Sequence, residues 1–219
     1  METKTSKVGL HLCDNFLERE TALLLEKKIN NLPQELWHYS YRTQKSGKKP
    51  LYYDNSVGGK RAQNAANHGL RKSLQAGRFC YKFKRTTDLN TYWWVTFNKN
   101  ILNGYVKNLV QSRTGLKNIK VLESFISCYD EGDFLSMHHD KQGDCAFILN
   151  LTRDWLPEYG GLLHIKNEGD DNTYTAINPT FNSLVLMELK GGGRDHFVSE
   201  VSALAPGPRL AISGWYVEE

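Results

Sequence analysis

The sequence contains no uninterrupted run of eighteen apolar residues, so it offers no α-helical membrane span. Its first stretch, METKTSKVGLHLCDNF, lacks the apolar core of a secretory signal. The four cysteines, Cys13, Cys80, Cys128 and Cys145, are scattered and form no CxxC pair. That spacing argues against a zinc ribbon or a disulfide framework and points to a reducing, cytoplasmic compartment. There is no internal repeat and no low-complexity linker, and 219 residues are enough to bury a sizeable core. The expectation is a single domain over residues 1–219. What is present is ordinary for a globular enzyme: 40% hydrophobic and 11% aromatic residues.

The net charge of +4 hides an asymmetry. Residues 1–110 hold 19 Lys/Arg against 8 Asp/Glu, whereas residues 111–219 hold 9 against 16. Most of the positive excess lies between Arg42 and Arg85, where 12 basic residues face only Asp54. Such a stretch suits a polyanionic partner such as RNA, and equally suits a solvated basic face. Aromatics are interleaved with it (Tyr52, Tyr53, Phe79, Tyr81, Phe83), and the last three alternate as in a strand.

Hydrophobic spacing divides the chain into two parts. Leu17, Leu24, Leu25, Ile29 and Leu32 recur at helical intervals before Pro33, with Asp14 or Asn15 placed to cap the helix. Residues 40–69 are polar, Gly-rich and basic and read as a long loop or flap. The segment NKNILNGYVKNLVQS sets Ile101, Leu102, Tyr105, Val106, Leu109 and Val110 on one face and predicts an amphipathic helix. Beyond residue 118 the pattern changes to short strands, KVLESFISCY, CAFILNL, GGLLHI, NSLVLMEL and RLAISGWYV. Gly160-Gly161, Pro179, Gly191-Gly192-Gly193 and Pro206-Gly207-Pro208 punctuate them. Helices first and strands afterwards predict an α+β fold in which helical and loop support from residues 1–118 buttresses an antiparallel β sandwich over 119–219.

The stretch MHHDKQGD at 137–144 lies between two of the apolar runs. Strand side chains alternate, so His138 and Asp140 share a face and His139 points the other way. One further histidine from a later strand would make a set of two histidines and a carboxylate with open positions, as in non-haem Fe(II) oxygenases. The HxD pattern alone fits a polar turn equally well. His11, His38 and His68 lie in the helical half, which leaves His164 and His196 downstream. His164 falls between Leu163 and Ile165, which would face the core. His196, in GGGRDHFVSEV, precedes RLAISGWY, whose Arg209 has the fork geometry that clamps a carboxylate through two hydrogen bonds. Ser213, four residues further along the same strand, shares its face.

The order SCY, HHD, FILNLTRDW, GGLLHI, the His196 segment and RLAISGWY resembles the prolyl-hydroxylase branch of the Fe(II)- and 2-oxoglutarate-dependent oxygenases over residues 121–217. FILNL, NSLVLMEL, FVSEV and RLAISGWY look most similar to ribosomal prolyl hydroxylase catalytic domains. The resemblance implies a double-stranded β-helix, or jelly roll, in which His138, Asp140 and His196 hold Fe(II) and Arg209 binds the distal carboxylate of 2-oxoglutarate. It also implies that Tyr129 helps to hold the cosubstrate and that Trp215 shapes the pocket beside the metal. O₂ is the co-reactant, and ascorbate is expected as a stimulant. Where relatives carry a tyrosine five residues before the tryptophan of the DW element, this chain has Asn150 before Trp155, so the cosubstrate pocket is expected to be rearranged around Asn150. Asp140 disfavours a halogenase, which needs a small residue there to admit chloride.

Three substrate classes follow from the resemblance. The first is a prolyl residue in a protein or peptide, with a ribosomal protein as the natural target. The second is a free amino acid or other small molecule. The third is a methylated nucleic acid, approached through the basic region 42–85; demethylases of this superfamily carry a second arginine six residues after the clamp, where this chain has Trp215.

Overall fold

In the C-terminal half, strand alternation sends every second side chain to helices and the others to a concave interior. The computed structural model describes residues 3–6, 9–43, 51–53, 57–86, 89–169, 172–190 and 193–219. In chain order the elements begin with β1 (Thr3–Ser6), β2 (Leu10–Cys13), α1 (Arg19–Asn30), β3 (Trp37–Arg42), β4 (Leu51–Tyr53) and α2 (Val57–Gln75). β5 (Tyr81–Thr86), α3 (Tyr92–Phe97) and α4 (Lys107–Thr114) follow, the two helices joined without a break by a π-helical stretch, Asn98–Val106. The C-terminal half holds β6 (Ile119–Tyr129), β7 (Phe134–His138), β8 (Cys145–Asn150), β9 (Leu163–Lys166), β10 (Tyr174–Ile177), β11 (Ser183–Glu188), β12 (His196–Val198) and β13 (Arg209–Glu218).

These strands form one curled antiparallel sheet in the order β1-β2-β11-β8-β13-β6-β5-β7-β12-β9-β10, with β3 and β4 branching from β5. This is the strand-rich jelly roll with buttressing helices that the sequence resemblance implied. No helix among the described residues is long and apolar enough to cross a membrane.

The two faces divide the hydrophobic residues cleanly. Cys145, Phe147 and Leu149 of β8, Leu184 and Leu186 of β11, Leu210 and Ile212 of β13, and Ile126 and Cys128 of β6 pack with α1, α3 and α4. The alternate positions, among them Phe125, Tyr129, Ala146, Val185 and Met187, line the interior with Leu163, Ile165 and Val198 from the opposite strands. By the same period of two, Asn150, Ser183, Arg209, Ser213 and Trp215 fall on the interior face. Every candidate residue on β8, β11 and β13 therefore points into one concavity.

The N-terminal part departs from expectation in three places. Residues 40–69, expected as a loop or flap, form the end of β3, then β4 and most of α2, while 44–50 and 54–56 lie outside the described residues. Ala66 and Leu70, four apart on α2, are buried with Tyr41 and Cys80, which gives the helix a packed stripe. The first helix starts at Arg19, without a cap from Asp14 or Asn15. Asn15 instead adopts φ 50°, and the amides of Phe16 and Leu17 bond to Asn182 O and Oδ1, each over 2.9 Å. The described residues of 1–118 also supply five strands, so they are part of the sheet as well as its helical support. Of the Gly-rich turn, 191–192 lie outside the described residues.

Candidate active site

β7 ends at His138, and Asp140 follows two residues later. β12 opens with His196, the antiparallel register partner of His138. The two imidazole centres are 4.2 Å apart. One ligand atom from each of His138, Asp140 and His196 lies within 4.8 Å of the others. His138 Nε2 is 3.4 Å from Asp140 Oδ1, and His196 Nε2 is 3.9 Å from Oδ2. This is the only such group of potential metal ligands among the described residues.

Each imidazole is oriented by a backbone carbonyl. His138 Nδ1 lies 2.9 Å from Ser136 O and His196 Nδ1 lies 2.7 Å from Arg194 O. A carbonyl only accepts, so each Nδ1 carries the proton and each Nε2 presents a lone pair to the site. Burial, reinforced by the neighbouring His138, pushes the His196 pKa down and keeps its ring neutral. For Asp140, burial works to raise the pKa. It is outweighed by interactions with His138, His196 and Trp215, so the net shift is downward. Trp215 Nε1 donates to Asp140 Oδ2 over 2.8 Å. Two nitrogen lone pairs and an ionised carboxylate oxygen in this arrangement fit a divalent iron ion.

Deeper in the concavity, Arg209 is 3% exposed, and no carboxylate among the described residues pairs with it. Its Nη2 donates to Asn150 Oδ1 over 3.3 Å, and Asn150 Nδ2 donates to Ser183 Oγ over 3.1 Å. The guanidinium lies 5.1 Å from the ring centre of Tyr129, its register partner on β6, and Nε has no hydrogen-bond partner. Burial pushes the Arg209 pKa down and the Tyr129 hydroxyl's up. A buried cation without an anionic side chain, holding donors in reserve, fits a carboxylate ligand. Gly161 lets the backbone approach this arginine: a Cβ there would lie 3.0 Å from Arg209 Cδ, at φ 64°.

The structure thus brings His138, Asp140, His196 and Trp215 together at one end of the concavity, and Arg209, Asn150 and Tyr129 at another. Ser213 shares the interior face, opposite Phe125 and Ile148. His139 turns away, its Nδ1 3.4 Å from Asp195. His164 stacks on Phe197, with centres 4.4 Å apart, outside the triad. Two residues that sequence reasoning did not single out are Ser183, which holds Asn150, and Ser136, whose carbonyl orients His138. Nothing in the local pattern distinguishes either serine. Phe79, whose ring lies 4.8 Å from that of His138, stood out only as one of three alternating aromatics.

Sequence comparison with known proteins bears on the same half of the chain, and structural comparison on nearly all of it. Residues 124–217 match the profile of the 2OG-Fe(II) oxygenase superfamily. A 33% identity over 109 residues relates the chain to an Ostreococcus tauri protein named Prolyl 3,4-dihydroxylase OGFOD1, covering 43% of this chain and 21% of that protein. The chain thus spans about a fifth of that relative's length. A Pseudomonas putida prolyl-4-hydroxylase superposes with a TM-score of 0.57 at 14% identity, covering 96% of this chain and 93% of its own. An oxidoreductase of the 2OG-Fe(II) oxygenase family from Burkholderia pseudomallei gives 0.63 at 11% identity, covering 97% and 87%. A Trichoplax adhaerens prolyl hydroxylase in complex with a hypoxia inducible factor peptide gives 0.51 at 14% identity, covering 97% and 84%. At these identities the solved structures speak for the fold.

Proposed function

We propose that this chain is an Fe(II)- and 2-oxoglutarate-dependent dioxygenase that hydroxylates a prolyl residue in a protein or peptide. One observation carries the reading: a preoriented His138–Asp140–His196 triad shares a concavity with the buried, carboxylate-free Arg209. When bound, iron with 2-oxoglutarate and O₂ supplies the oxidising chemistry: 2-oxoglutarate leaves as succinate and CO₂, and a substrate C–H becomes C–OH.

The chain's own residues do the rest. His138 and His196 present Nε2 because their Nδ1 protons are committed to Ser136 and Arg194. Asp140 supplies the anionic oxygen, and Trp215 fixes its carboxylate plane. Arg209, turned by Asn150, receives the distal carboxylate, and Tyr129 and Ser213 line the space around it. Phe125, Leu163, Val185 and Val198 keep the concavity apolar and exclude water from the reacting centre.

The protein-substrate reading is supported by the relative named as a prolyl dihydroxylase and by the Trichoplax structure, which holds a peptide. A ribosomal protein remains the target that the motif resemblance favours, and Lys60, Arg61, Arg71, Lys72 and Arg78 are exposed to meet an RNA-rich assembly. Lys82, Lys84 and Arg85 are committed to Asp133, Asp130 and Glu123, so the basic surface facing a partner is smaller than the 42–85 count suggests. Four free cysteines agree with a cytoplasmic protein. The proposed unit is a single oxygenase domain over 1–219.

The test is succinate release from Fe(II), 2-oxoglutarate and O₂ in the presence of the macromolecular or the small-molecule fraction of a cell lysate. Stimulation by the macromolecular fraction, with a one-oxygen mass gain mapping to proline, is expected. Stimulation by the small-molecule fraction alone would move the assignment to a free amino acid or similar metabolite.

A further inference from the structure

We propose that Phe79 is a positioning residue for the metal site, holding the His138 imidazole in its ligating plane and tying that ligand to the N-terminal part of the chain. The inference rests on the metal reading above.

Phe79 lies between α2 and β5 and is half-buried. Its ring stacks on His138 with centres 4.8 Å apart and planes 23° from parallel. Tyr81 lies 5.6 Å away, and the Arg42 guanidinium carbon lies 4.8 Å from the Phe79 ring centre. Among the described residues the ring belongs to none of the buried hydrophobic clusters, unlike its neighbours Tyr81 and Phe83. Core burial therefore does not account for its placement, whereas contact with an imidazole and a guanidinium does.

The backbone beside it is fastened to the ligand-bearing strand. The amide of Cys80 donates to Ser136 Oγ over 2.9 Å, and the amide of Ser136 donates to Cys80 O over 3.0 Å. The carbonyl of the same Ser136 receives the His138 Nδ1 proton. Cys80 thus grips the serine that orients the imidazole in its plane, while the ring of the adjacent Phe79 rests against the imidazole as a stacked partner.

The two restraints are complementary. A hydrogen bond at Nδ1 sets where the edge of the imidazole points, but tilting about that edge costs it little. A stacked ring resists the tilt, and the tilt is the motion that swings Nε2 off the metal. Arg42 on β3, packed by cation–π attraction, restrains Phe79 in turn. This gives Arg42, Phe79 and Cys80 a role at the metal that the weak family resemblance of the N-terminal part conceals.

The experiment titrates Co(II), as the probe, into the metal-free full chain and follows its visible d–d bands for wild type, Phe79→Ala, Phe79→Leu and Phe79→Tyr. Phe79→Ala is expected to bind Co(II) at least about tenfold more weakly, with shifted bands, while its metal-free melting temperature stays close to wild type. Phe79→Leu, which keeps bulk without a stacking face, is expected to shift the bands in the same direction and guards against Phe79→Ala failing to fold. Phe79→Tyr is expected to restore both affinity and spectrum. Wild-type affinity and bands in the Ala and Leu variants would overturn the proposal and leave the metal reading intact. Failure of wild type itself to bind Co(II) would overturn both.

Discussion

Arg209 Nη2 donates to Asn150 Oδ1 over 3.3 Å, and Asn150 stands where the sequence resemblance implies a tyrosine. Asn150 thus contacts the guanidinium proposed to clamp a carboxylate, and Ser183 holds its amide over 3.1 Å. Removing it with Asn150→Ala leaves a buried guanidinium short of an acceptor. A hydrogen bond to a charged group contributes about 1.5–3 kcal/mol, so the KM for 2-oxoglutarate should rise on the order of tenfold to a hundredfold while the fold persists. Initial rates of succinate formation at varied 2-oxoglutarate measure this. An unchanged KM would mean that Arg209 is oriented without Asn150.

Trp215 is the corresponding support on the metal side. Its ring packs 5.8 Å from Phe125, over which Arg85 sits at 3.8 Å, and its indole N–H holds Asp140 Oδ2. Trp215→Phe keeps the ring and removes the donor. Supporting hydrogen bonds of this kind are typically worth tenfold to a hundredfold in metal affinity or activity, so Fe(II)-dependent turnover should fall by about tenfold at limiting iron. Recovery of full turnover at higher iron would locate the defect in metal binding, whereas equal iron dependence in both proteins would remove Trp215 from that role.

Asp133 predicts a pH effect away from the metal. It is fully buried, and burial outweighs the Lys82 ammonium 2.9 Å away, raising its pKa from 3.8 to about 6. The folded protein therefore holds this proton more tightly than the unfolded chain does. Between about pH 4 and 6, Asp133 makes stability fall as pH rises, by up to about 3 kcal/mol in total. Chemical denaturation of wild type and Asp133→Asn across that range should show this component in wild type alone. Parallel pH profiles would contradict it.

How much of this was legible in the sequence follows from where the chemistry sits. β8 and β11 announce themselves because each is a nearly continuous apolar run buried on both faces, and on β13 the period of two then places Arg209, Ser213 and Trp215 together. His138, Asp140 and His196 stand out because few residue types ligate iron, and their union across β7 and β12 depends only on the register of two adjacent strands. The N-terminal part gives weaker signals. α2 carries Gly58, Gly59, Gly69, Asn64 and Asn67, all poor helix formers, and packing of Ala66 and Leu70 beneath Tyr41 overrides that composition. The stripe expected for α1 is looser than it reads, since Leu24 is 53% exposed. Asn182, 165 residues away from Leu17, fastens the turn ahead of the helix, and no local pattern contains that information.

The most direct test of the whole account is Fe(II)-dependent conversion of 2-oxoglutarate to succinate by wild type, His138→Ala and Asp140→Ala, each checked for native circular dichroism. Wild type should turn over 2-oxoglutarate, and both variants should fall to background while remaining folded, because each loses one of three ligand atoms that converge within 4.8 Å. Turnover retained by either folded variant would contradict the assignment of the iron site.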